Sequence, residues 1–294
     1  MYNGRFTSKG NLYYCASQES IGLYNTHNPY DFKHINTIGA RGIRWTITSV
    51  DITSDEEKMA YSTLGPVIHV VDLYTLSKFH HSIDLRQEQG GQTSQHGFRC
   101  GGFKFSGDGS EIVAGSHCKG IAVYNMEKEC KTVSITNAHK NDINSVAFAD
   151  KDNSNIIYTA SDDCMVKVWD RRILYNNNAI GCFVGHTEGL TFVDSRGDDR
   201  YLVSASKDQT LKLWDLRKMN TIEEYENMPR LKSVSGFDYR MQEYPHPHNP
   251  YKHVLDNSVC TFTGFECLQT NIRAYFSPLE TTGQRYVYSG SSDG

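Results

Sequence analysis

The sequence predicts an all-β chain folded as a β-propeller, on three observations. Residues 159–172, TASDDCMVKVWDRR, return as SASKDQTLKLWDLR at 204–217, an offset of 45 residues. A unit of about 40–45 residues holding four short strands is the signature of a propeller blade. Runs with an apolar residue at every second position, such as ITSVDITSD (47–55), GGFKFSGDG (101–109), INSVAFAD (143–150) and LTFVDSRGD (190–198), read as strands with one buried face. No stretch sustains a 3.6-residue apolar period, so no helix of ordinary length is required.

The two clear repeats set a frame for the rest. Trp169 and Trp214 align with Tyr124 in AGSHCKGIAVYN, Val71 in YSTLGPVIHVVD and Tyr24 in CASQESIGLYN, at successive spacings of 47, 53, 45 and 45. Each aligned residue is followed by Asp or Asn, and each run follows another strand-like run across a short turn. Turn formers such as Ser106-Gly107-Asp108-Gly109 and Arg196-Gly197-Asp198 separate the runs. Two stretches break the pattern. Residues 74–97 are rich in Gln, His, Ser and Gly, and residues 220–252 hold four of the seven prolines. The second is expected to be an irregular insertion between blades. The pattern resumes at VCTFTG (259–264), IRAYFSP (272–278) and RYVYSGSSDG (285–294). Because SGSSDG matches TASDDC position for position, the last unit stops in a hairpin turn; the unit around Tyr24 has too few residues for four strands. The expectation is one propeller domain over 1–294, truncated at both ends, with about four complete and two partial blades of a seven-bladed ring.

Composition narrows the function. The 294 residues carry a net charge of −4, which gives no basic excess for nucleic acid. The eight cysteines form no CxxC pair and read as free, mostly buried thiols of an intracellular protein, nuclear or cytoplasmic. No apolar run of about 18 residues is present, so no membrane partner is expected. His80-His81 and the His246 and His248 of PHPH lack Cys or carboxylates at ligand spacing, so no metal is assigned. Gly90-Gly91 and Gly101-Gly102 lack the Lys-Ser/Thr of a phosphate loop, and no cofactor is expected. Arg41 and Arg44 beside Trp45 are too few to make a basic patch.

With Ala138-His139 and Gly185-His186 ahead of the repeats, Asp163 and Asp208 in their turns and Trp-Asp at 169–170 and 214–215, the chain resembles the WD-repeat family. The likeness is strongest over 138–172 and 185–217. Elsewhere Gln18, Gly65 and Cys118 replace the turn aspartate, His96 supplies one further family histidine, Phe237 stands for a Trp and Gly264-Phe265 for Gly-His. A buried polar chain explains these residue types. Trp169 can offer its indole N–H to Thr159 or Ser161; that hydroxyl can bond His139, and His139 can bond Asp163. The next blade repeats the set with Trp214, Ser204 or Ser206, His186 and Asp208. The network is assigned to His139, Ser161, Asp163 and Trp169, and to His186, Ser206, Asp208 and Trp214. A His-Ser-Asp grouping that recurs at the blade period reads as structural, not catalytic.

The arginine two positions past each Trp-Asp is a separate signal. Ile157 to Arg172 and Leu202 to Arg217 each resemble the sixteen-residue box of WD-repeat substrate receptors of cullin-4 ubiquitin ligases, with Arg171 a departure where an apolar residue is usual. The resemblance implies a non-catalytic substrate receptor that presents proteins for ubiquitination and proteasomal degradation. It implies that Asp170, Arg172, Asp215 and Arg217 face the cullin-4 ligase adaptor protein, while another surface takes an unidentified protein substrate. A general WD-repeat scaffold in another complex is the alternative. A propeller hydrolase would need His or acidic residues that break the blade period at the channel, and the sequence offers none.

Overall fold

A computed structural model describes residues 3–43, 45–75, 79–86, 88–89, 92–93, 97–176, 178–227, 237–245 and 252–294. Five four-stranded antiparallel sheets follow one another as blades. Blade one is β1 (Asn3–Phe6), β2 (Leu12–Ala16), β3 (Ser20–Asn25) and β4 (Lys33–Gly39); blade two is β5 (Ile47–Ile52), β6 (Lys58–Thr63), β7 (Val67–Asp72) and β8 (His81–Asp84). A small hairpin, β9 (Glu88–Gln89) and β10 (Gln92–Thr93), precedes blade three, which is β11 (Cys100–Phe105), β12 (Glu111–Ser116), β13 (Ile121–Asn125) and β14 (Cys130–Ile135). Blade four is β15 (Ile143–Phe148), β16 (Ile156–Ser161), β17 (Met165–Asp170) and β18 (Gly181–Val184). Blade five is β19 (Leu190–Ser195), β20 (Tyr201–Ser206), β21 (Leu211–Asp215) and β22 (Cys260–Phe262). β23 (Ala274–Phe276) and β24 (Val287–Ser289) form a two-stranded sixth sheet.

The aligned frame holds. Tyr24, Val71, Tyr124, Trp169 and Trp214 each occupy the last position but one of the third strand of a blade. The blade count is corrected in one respect. The Tyr24 unit does hold four strands, because β1 needs only four residues and short connections link the rest. The segment 220–252 also lies elsewhere than expected. It joins β21 to β22 inside blade five, because Cys260–Phe262 pairs with Leu211–Leu213 as a fourth strand instead of opening a new blade. The segment begins with a short helix, α1 (Ile222–Glu226), started by a Thr221–Glu224 capping box. Residues 228–236 and 246–251 lie outside the described residues, as do Arg44, His96, His246 and His248.

Burial explains why the strands read differently along a blade. Every residue of β11, β12 and β15 is buried, whereas the outer strand β14 alternates exposed positions with half-buried or buried ones. Inner strands are covered by blades on both sides, and outer strands have one face in water. The apolar core is therefore a set of wedges between neighbours. Ile68, Ile83, Phe103 and Ile112 join blades two and three, and Val123, Ile143, Val146 and Trp169 join blades three and four. Phe183, Leu190, Val193 and Trp214 join blades four and five. The sixth sheet packs on blade one, where the Tyr275 hydroxyl lies 2.7 Å from Asn3 Oδ1 and the Phe6 and Tyr288 rings meet at 6.0 Å.

The fifth residue of β5, β11 and β19 places Asp51, Lys104 and Asp194 around the channel, beside Arg5 and Tyr275. Arg5 reaches Asp51 and Asp194 at 3.3 Å each, and Lys104 reaches Asp51 at 3.0 Å. Burial pushes the Asp51 carboxyl up to about 6 and raises that of Asp194.

The meander fixes two faces. Turns between first and second strands and between third and fourth strands open on one face, here called lower. Turns between second and third strands, and the connections from blade to blade, open on the upper face.

Candidate functional site

Both polar chains are present, with one correction each. The Trp169 indole donates to Thr159 Oγ1 at 2.9 Å, Thr159 Oγ1 meets His139 Nε2 at 2.7 Å, and His139 Nδ1 meets Asp163 Oδ2 at 2.8 Å. In blade five the indole of Trp214 donates to Ser204 Oγ at 2.8 Å, Ser204 meets His186 at 2.7 Å, and His186 meets Asp208 at 3.1 Å. The hydroxyls are thus Thr159 and Ser204, not Ser161 and Ser206. Trp169 stands opposite Ile157 in the register, so its ring reaches the diagonal neighbour two residues on, while Ser161 lies a further pair of residues along the strand. Ser161 and Ser206 instead hold the hairpin turns, accepting from the backbone N–H of Asp163 at 3.2 Å and of Asp208 at 3.1 Å.

Burial depresses the titration of His139 and keeps it neutral, even though Asp163 pulls the other way. Burial opposes the ionised form of Asp163, but the bonds from His139 and from Lys140 N–H leave its carboxyl below the usual range. A group depressed in the folded state contributes stability above its unfolded pKa and loses it as the pH falls. The stability difference between the wild type and His139→Asn is therefore expected to shrink from about pH 7 to about pH 5. Urea midpoints across that range test this, and a difference that stays constant or grows overturns it.

Arg172 and Arg217 stand on the lower face just past β17 and β21. Each folds back as a fork onto its own Trp-Asp aspartate: Arg172 Nε and Nη2 lie 2.9 and 2.6 Å from Asp170 Oδ1 and Oδ2. Arg217 matches this at 3.0 and 2.7 Å from Asp215. The backbone N–H of each arginine donates to the same carboxylate. The aspartates are buried while the arginine side chains stay 63% and 65% exposed. The forks hold the Asp170 and Asp215 carboxyls below the usual range.

Two contacts beside the forks escaped the sequence reading. Arg200 approaches Asp215 at 3.5 Å and stacks on Tyr201 at 4.7 Å, so two guanidiniums share one carboxylate. Arg171 reaches Glu111 of blade three through two bonds of 2.6 and 2.9 Å, which makes it a tie between blades. The same local fork recurs at Asp84–Arg86 and Asp238–Arg240 on the upper face, so D-x-R by itself marks no docking site. What distinguishes 170–172 and 215–217 is their matching place on adjacent blades. Among the described residues no three His, Cys, Asp or Glu are grouped to hold a metal ion; His80 bonds the Tyr61 hydroxyl at 2.6 Å. All eight cysteines are free, but Cys100, Cys182 and Cys267 are the buried ones, fewer than expected. No described helix is long and apolar enough to cross a membrane.

The family described as "WD domain, G-beta repeat" matches residues 130–170 and 177–215, the two blades with complete polar chains. Two repeats of that family therefore lie in this chain. Relatives match between 65% and 100% of this chain. The "LEC14B protein" of Lithospermum erythrorhizon is 39% identical over 303 residues, covering 100% of this chain and 62% of the relative. The "DDB1- and CUL4-associated factor 11 homolog" of Caenorhabditis elegans is 36% identical over 303 residues, covering 99% and 52%. The protein of that name from Caenorhabditis briggsae is 45% identical over 194 residues, covering 65% and 34%. The chain therefore spans from about a third to about three fifths of the length of these relatives.

Proposed function

We propose that this chain belongs to a non-catalytic substrate receptor of a cullin-4 RING ubiquitin ligase, docking the ligase adaptor by its lower rim and presenting a protein substrate elsewhere. The observation that carries this is the pair of Trp-Asp-x-Arg forks in adjacent blades, on one face and largely exposed. Two relatives whose printed names associate them with DDB1 and CUL4 support it. A guanidinium that leaves a fork of N–H groups pointing outward suits a carboxylate-bearing partner, and arginine is enriched among interface hot spots.

Arg172→Ala combined with Arg217→Ala is expected to weaken capture by the purified adaptor about tenfold or more, with little change in melting temperature. Undiminished capture would remove those residues from the interface. If the wild-type chain fails to bind the adaptor, the general scaffold reading replaces this one.

A further inference from the structure

The upper mouth of the channel carries features that blade packing does not require. Four inner strands slip register at the same place, between Ile47 and Ser49, Cys100 and Gly102, Ile143 and Ser145, and Leu190 and Phe192. The inserted residues are Thr48, Gly101, Asn144 and Thr191, and all four border the mouth. Bulges re-aim side chains at the rims of β structures. Here three of them pass a bond to the next blade. Thr48 Oγ1 donates to Cys100 O at 3.1 Å, Asn144 Nδ2 to Leu190 O at 2.7 Å, and Thr191 Oγ1 to Ile272 O at 2.6 Å. Arg273 closes the belt by donating to Thr48 O. Gly101 is the gap, since a Cβ there would stand 2.3 Å from Ile143 O.

A cavity of about 150 Å³ lies within this belt. Small-molecule sites run to roughly 300–1,000 Å³, so this one suits a single side chain. Its outer lining comes from residues outside the repeat. Trp45, on the connection from blade one to blade two, is 74% exposed and holds a φ of 76°, a region that aromatic residues rarely occupy. Tyr239 comes from the insertion in blade five and is fixed by the Gln269 N–H to its carbonyl at 2.9 Å. Beside Trp45, the Thr46 hydroxyl is buried with no hydrogen-bond partner.

Charge decides what fits. Arg273 is the one formally charged residue of the described lining, and no carboxylate lines the cavity. Its guanidinium lies over the Phe192 ring at 4.9 Å and has no carboxylate at ion-pair distance among the described residues. Burial depresses the titration of His117, the other basic group there, and keeps it neutral. Nearby Asp162 is already held by Lys207 at 2.6 Å and Asn144 at 2.7 Å, and Asp142 stands 4.0 Å from His117 at the rim.

We propose that this mouth receives one acidic side chain from an extended segment of a partner protein, its carboxylate taken by Arg273 and Thr46 and its backbone covered by Trp45 and Tyr239. This deepens the proposed function, on which it rests for reading that segment as substrate. The mouth faces away from Arg172 and Arg217, so adaptor and segment can be held together.

Selection of a randomised short-peptide library on the immobilised chain tests this without the adaptor. Asp or Glu is expected to be enriched at one fixed position. A selected peptide is expected to shift Trp45 emission, because Trp169 and Trp214 are buried. Its affinity should fall about tenfold or more in Arg273→Gln and in Trp45→Ala, and less in Arg273→Lys. Trp45 is exposed, so its variant keeps the test meaningful if Arg273→Gln fails to fold. A basic or purely apolar consensus, or selected peptides that bind both variants as well as the wild type, overturns the proposal. Acidic enrichment from a chain that never captures the adaptor would leave the site standing and defeat the receptor reading alone.

Discussion

Arg5→Met is expected to lower the unfolding free energy by about 3 kcal/mol, near the lower end of the 3–5 kcal/mol for breaking a buried ion pair, because Arg5 is itself 25% exposed. Arg5 is the guanidinium that reaches both Asp51 and Asp194, and its loss leaves Asp194 with the Phe276 N–H at 3.1 Å, while Asp51 keeps Lys104. The deficit should depend on pH in a defined direction. With the Asp51 carboxyl at about 6 and that of Asp194 also raised, each gives stability below its unfolded pKa and loses it as the pH rises through the folded value. Protonated carboxyls need no cation, so the effect of Arg5→Met should be larger at about pH 8 than at about pH 5. Urea titrations at both values, with Arg5→Met/Asp51→Asn/Asp194→Asn as a rescue, would decide it. A loss under about 0.5 kcal/mol, or no recovery in the triple variant, would show that Arg5 is no electrostatic pin.

Trp214→Ala should be more damaging, at about 3–5 kcal/mol, since it empties a wholly buried site. The ring meets Phe183 at 5.2 Å within the wedge between blades four and five, and its indole anchors Ser204 and, through it, His186. Against a domain stability of about 5–15 kcal/mol this is a large fraction. Trp214→Phe keeps most of the volume and removes the indole donor, so it should cost about 1–2 kcal/mol. Equal effects from the two substitutions would mean that the polar chain, not the packing, dominates this site.

Legibility tracked the repeat. Alternation and a 45-residue period sufficed to place Tyr24, Val71, Tyr124, Trp169 and Trp214 at one position of the third strand, because that position sets how each blade packs on its neighbour. Blade one was undercounted because β1, NGRF, is only four residues long, too short for an alternating pattern to register. The choice between Thr159 and Ser161 could not be read from residue types, since both hydroxyls lie on the same face of β16 and only the register to Trp169 separates them. The tie from Arg171 to Glu111 and the belt around the upper mouth were hidden for a shared reason. Both join residues far apart in the chain, and bulges leave no trace in an apolar pattern. Of the candidate docking residues, the sequence located Arg172 and Arg217 but not the aspartate forks that orient them.

Those forks carry a kinetic consequence. A long side chain free to rotate loses rotamer entropy of up to about 2 kcal/mol when an interface fixes it. Arg172 and Arg217 are already confined by Asp170 and Asp215, so less freedom remains to be lost in the proposed docking. Asp170→Asn would remove a negative charge that an acidic partner repels, and yet it should weaken binding, by letting Arg172 sample orientations that miss the partner. The loss should appear as a slower productive encounter, with the contacts in the finished complex unchanged.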